Sequence, residues 1–130
     1  MEGRSGWMLK VERDSVCAGD DIAAPHEKRF SVAATDTLHD LIMAVISSGY
    51  LARITGGQAT WIVESADVPL AVVAQQWTSP MFLVDRDTLA VDTIRLQARC
   101  PLFFRYWCQV DPQSVFECLK SGRPLPERFR

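Results

Sequence analysis

Thr37-Leu38-His39-Asp40-Leu41-Ile42-Met43-Ala44-Val45-Ile46 is the stretch on which the fold turns. Leu38, Leu41, Ile42, Val45 and Ile46 fall at i, i+3, i+4, i+7 and i+8, one apolar stripe along a helix. Asp36 or Thr37 can accept hydrogen bonds from the free amides at its start, and Asp40 is favourable in the first turn. Gly49 can take the left-handed conformation that ends it. Such a helix has to pack its stripe on a sheet, and the flanking sequence supplies strands.

Upstream, Trp7, Leu9 and Val11 alternate with Met8, Lys10 and Glu12, and Phe30, Val32 and Ala34 alternate with Arg29, Ser31 and Ala33. Between these two strands, Asp14 to Lys28 has no periodicity and gathers Asp14, Asp20, Asp21 and Glu27, which reads as a long acidic loop. Downstream, Tyr50–Ile54 leads through Thr55-Gly56-Gly57 into Ala59–Glu64, a hairpin signal. Val68-Pro69 reads as a separator before Leu70–Gln76, an apolar run suited to a strand covered on both faces. Met81–Val84 is short, Ile94-Leu96-Ala98 alternates, and Leu102–Cys108 follows a turn at Cys100-Pro101. Asp111 as cap with Pro112 at the first position opens a second helix, striped by Val115, Phe116 and Leu119 and stopped by Gly122 and Pro124.

The expectation is therefore α+β: a bent, mostly antiparallel sheet of about seven or eight strands with two helices against one face. With 130 residues and no repeat or linker, residues 1–130 read as one domain, with 1–7 as an extension and 123–130 as a basic tail. Alternation leaves Lys10, Glu12, Glu64, Arg95, Gln97, Arg99, Arg105 and Gln109 on faces that meet water.

Sixteen acidic against fourteen basic residues give a net charge of −2, so no global basic field recruits nucleic acid. Nothing at the start resembles a signal-peptide core, and no apolar run approaches the roughly 20 residues that cross a bilayer. A cytoplasmic protein without membrane association is expected, with Cys17, Cys100, Cys108 and Cys118 as reduced structural thiols. No cysteine spacing suits zinc, and Cys17, Asp20, Asp21, His26 and Glu27 match no calcium loop, so no metal is expected. Phosphate-loop and dinucleotide fingerprints are missing, and no cofactor is expected. His26 and His39 are the only histidines, neither placed beside a clear nucleophile, so the chain reads as non-enzymatic.

Residue types suited to protein recognition remain. Asp20, Asp21 and Glu27 form one acidic stretch, and Asp85 with Asp87 forms another. Trp77 and Trp107 are candidate apolar anchors, with Arg105 between Phe103 and Trp107. Acidic loops with aromatic anchors fit a basic partner by charge complementarity.

The blocks Val11–Asp21 with Pro25-His26, Tyr50-Leu51 leading to Gly56–Trp61, and Leu70–Trp77 resemble small bacterial immunity proteins of polymorphic-toxin and contact-dependent growth inhibition systems. The resemblance implies a cytoplasmic protein that binds one cognate toxin domain, often a basic nuclease, and occludes its active site. The alternative from the residues alone is a small-molecule-binding or enzymatic domain with a pocket between the sheet and the first helix.

Overall fold

The computed structural model describes residues 6–14, 27–51, 57–95 and 97–127. Within them the apolar stripe is helix α1 (Leu38–Ser47). Its start is a reciprocal cap: Asp40 N–H donates to Thr37 Oγ1 at 3.0 Å, and Thr37 N–H donates to Asp40 Oδ2 at 3.1 Å. Two further first-turn amides, of Leu38 and His39, donate to the carbonyls of Thr88 and Arg86 at 2.8 and 3.0 Å. Gly49 leaves the helix at φ +80°, where a side chain would be strained.

The strands are β1 (Gly6–Arg13), β2 (Glu27–Ala33), β3 (Thr60–Ser65), β4 (Val68–Ala74), β5 (Met81–Phe82) and β6 (Leu102–Tyr106). Two more helices, α2 (Ala90–Thr93) and α3 (Pro112–Ser121), complete an α+β chain. The sheet runs β2-β1-β6-β3-β4-β5 and is mixed, since β1 and β6 are parallel and every other pair is antiparallel. Asp14 extends the parallel pair: its N–H donates to Phe104 O and its Oδ2 accepts from Tyr106 N–H, both at 3.0 Å.

Several expectations need correction. Among the described residues there are six strands, not seven or eight, and three helices, not two. Tyr50 and Leu51 are not in a strand, because the Tyr50 ring turns into the core and its hydroxyl donates to Val11 O at 3.2 Å. The rest of that expected strand and the Thr55-Gly56 part of its hairpin lie outside the described residues. Ile94 closes the short helix α2 instead of opening a strand, and Ala98 N–H bonds back to Arg95 O in a turn. Val68-Pro69 does not separate strands. The turn is Ala66-Asp67, both at positive φ (49° and 69°), the geometry of a tight two-residue hairpin. Pro69 sits at the start of β4 beside a bulge, where Leu70 is the extra residue between the pairs Val63–Ala71 and Glu64–Pro69. At the amino end, β1 begins at Gly6, inside the expected extension.

The helices do not share one face. Alternation sends Leu9, Val11, Val32, Trp61, Val63, Leu102, Phe104 and Tyr106 to one side, where they pack with Leu38, Leu41, Ile42 and Val45 of α1. Ile62 and Val72 point to the other side and pack with Val115 and Phe116 of α3. Helix α3 is capped by Asp111, whose carboxylate accepts from Ser114 N–H at 3.1 Å, and ends at Gly122 with φ +75°. Its apolar residues cover the β3-β4 part of the second face. The β2-β1-β6 part carries no helix among the described residues, and Met8 there is 57% exposed. Among the described residues no helix is long and apolar enough to cross a membrane.

Candidate functional site

Register fixes what this open half-face presents. Glu27 of β2 lies opposite Glu12 of β1, Glu12 beside Phe103 of β6, and Phe103 opposite Glu64 of β3. One row across four strands therefore reads Glu27, Glu12, Phe103, Glu64. A cleft of about 580 Å³ opens over it, lined by Glu12, Asp14, Glu64, Asp67, Arg99 and Arg105, with Cys100 and Phe103 among its less polar walls. Four acidic against two basic residues leave this lining negative by two.

Arg105 is not a free cation. Its Nε and Nη2 donate to Glu64 Oε2 and Oε1, both at 2.9 Å, a bidentate pair with one orientation. These hydrogen bonds raise the guanidinium's proton affinity further, against the opposing effect of burial. The guanidinium carbon lies 5.8 Å from the centre of the Phe103 ring, so the pair rests on an aromatic floor. Glu12, Asp14 and Asp67 supply the remaining carboxylates. The cleft is thus an acidic surface mounted on strands and a tight turn, with the Glu64–Arg105 pair built into it.

Cys100 makes the opposite of a nucleophile here. Burial first, then its hydrogen bond to Glu12 and the charge of Glu12, push its thiol up from 9.0 to about 12. Cys100 is expected to react with iodoacetamide at pH 8 at least a hundredfold more slowly than cysteine in a peptide, because its thiolate is roughly a thousandfold scarcer and only part of that loss is offset by the higher nucleophilicity of a more basic thiolate. Mass-spectrometric labelling kinetics read this directly, and a peptide-like rate would place the thiol in water. The unfolded chain releases this proton near 9 while the folded chain holds it to about 12, so stability falls as pH rises through that window.

The sequence candidates fall into separate places. Arg105 is in the cleft, and Glu27 continues its acidic row, exposed and 3.4 Å from Arg29. Asp20 and Asp21 lie outside the described residues, in the sequence between Asp14 and Glu27. Asp85 and Asp87 are exposed beyond β5, the opposite edge, with Asp85 Oδ1 accepting from Asp87 N–H at 2.9 Å. Five strand spacings, about 24 Å, separate β2 from β5. Trp77 and Trp107 belong to the α3 side, half-buried against the second apolar cluster. The Trp107 indole N–H donates to Pro126 O at 2.8 Å, so this ring holds the carboxyl-terminal segment down.

Asp67 and Cys100 were missed as site residues, while Asp14 was read only as part of the acidic loop and Phe103 only as a flank of Arg105. Glu12, Glu64 and Arg99 carried the one available signal, a polar position on an alternating strand. Among the described residues no group of three His, Cys, Asp or Glu side chains is arranged to hold a metal. A second hollow of about 390 Å³ lies between the end of α1 and the sheet, walled by Met43, Ile46, Leu51, Trp61, Val73 and Trp77. No protein-family model, curated protein or solved structure matches the chain.

Proposed function

We propose that this protein is a non-enzymatic immunity protein that binds a cognate toxin domain of basic character, such as the nucleases the sequence resemblance implies, and occludes its active site in the cytoplasm. The observation that carries the reading is the acidic cleft on a half-face of the sheet that carries no helix among the described residues, with Glu12, Asp14, Glu64 and Asp67 fixed by strands and a tight turn. Carboxylates held in place lose little freedom on binding, and their field steers a basic partner to them. Phe103 and the Arg105–Glu64 pair give the centre of the contact an apolar and a directional component.

The test is co-expression with the reading frame beside its gene, scoring rescue of growth and a stable complex. Glu12→Lys and Asp67→Asn are expected to weaken that complex by about tenfold each, mainly through slower, salt-sensitive association. Asn keeps the left-handed turn at position 67. Wild-type binding by both variants would remove the cleft from the interface, and a harmless neighbour without a complex would end the immunity reading. The hollow beneath α1 favours a second reading, a small-molecule site. Melting-temperature shifts in a metabolite screen, abolished by Met43→Trp filling, test that one.

A further inference from the structure

Next to the acidic cleft, sharing Ala98 and Arg99 with it, lies a hollow of about 300 Å³ whose charged lining among the described residues is cationic: Lys10, Arg29 and Arg99. Met8, Leu9 and Pro101 form its apolar walls. The three cations come from three segments, β1, β2 and the connection before β6, in a chain whose net charge is −2.

Their arrangement works against the sheet. Lys10 lies directly opposite Arg29, and the next pair on the same face is Glu12 opposite Glu27. Like charges in such positions destabilise a ladder. Exchanging residues 27 and 29 would give two opposite-charge pairs from the same composition. The Arg29–Glu27 contact along β2, at 3.4 Å, relieves one of the two cations and leaves Lys10 facing its neighbour. Departures of this kind from local consistency are expected where a surface serves binding.

We propose that the Lys10–Arg29–Arg99 hollow is a site for a small phosphoryl anion, phosphate or pyrophosphate. Two guanidinium groups offer paired donors to phosphoryl oxygens and Lys10 adds a compact charge, so a bound anion would turn the Lys10–Arg29 repulsion into two attractions. The open walls leave room for the anion together with its waters. The proposal does not rest on the toxin reading, although Arg99 lines both this hollow and the acidic cleft.

Amide NMR titration of the whole chain with inorganic pyrophosphate, and with acetate as control, tests it. Saturating shifts confined to the surroundings of Met8, Lys10, Arg29 and Arg99, with half-saturation below about 1 mM, are expected. Lys10→Gln, Arg29→Gln and Arg99→Gln should each weaken binding about fivefold or more, while Arg86→Gln at the far edge should not. Unchanged spectra of the folded variants away from the substitution exclude misfolding. Non-saturating shifts shared with acetate, shifts spread over Arg86, Arg95 and Arg123, or wild-type affinity in all three variants would overturn the proposal.

Discussion

Phe104→Ala is expected to lower the stability of the fold by about 4 kcal/mol, the largest effect of any single truncation on the strand that joins the two halves of the sheet. Phe104 is fully buried on β6, opposite Val63 of β3 and beside Arg13 of β1, and it belongs to the cluster under α1. Removing its ring loses the transfer free energy of the atoms and leaves a cavity between the sheet and α1, above a strand held on both sides by its neighbours. Collapse of that space is opposed on one side by the parallel pair and on the other by the antiparallel one. Domains of this size are stable by on the order of 5–15 kcal/mol, so the variant loses a large share of the total. A fall in melting temperature of roughly 12–20 °C follows. Phe104→Leu, which keeps most of the volume, should cost about 1 kcal/mol. Chemical unfolding of both variants measures this, and near-equal costs would mean that β6 is not the centre of the core.

That centre was the least legible part of the sequence. Helices α1 and α3 were readable because stripe, cap and terminating glycine all lie within a dozen residues. Strands β1, β2 and β4 were readable by local pattern as well. The insertion of β6 between β1 and β3 depends on contacts such as Asp14 to Tyr106, 92 positions apart, which no periodicity records. The Ile94-Leu96-Ala98 alternation is only three apolar positions long. A turn after α2 buries Ile94 as well as a strand would. The site inherits the same limit. Glu12, Glu64 and Arg105 could each be assigned to a water-facing position, but their convergence on one cleft follows from strand order alone. Trp107 shows the same limit: an aromatic beside an arginine reads as an interface anchor, and no local pattern tells that its indole N–H donates to Pro126 O.

Arg105→Ala is expected to cost more than Glu64→Ala, although each removes the same ion pair. The Glu64 side chain is 11% exposed and the Arg105 side chain 37%. Truncating Arg105 strands a carboxylate that water hardly reaches, at about 2–3 kcal/mol. Truncating Glu64 leaves a guanidinium long enough to turn outward, at about 1 kcal/mol. Replacing both by leucine should return stability close to wild type, since neither charge is then left alone. Urea unfolding of the four proteins at pH 7 separates these outcomes, and equal single-variant costs would mean that both ends of the pair are solvated alike. The leucine pair is also the sharpest probe of function. It keeps the fold while removing the one oriented charge pair in the cleft, so a partner that reads this surface should lose most of its affinity for a protein as stable as the original.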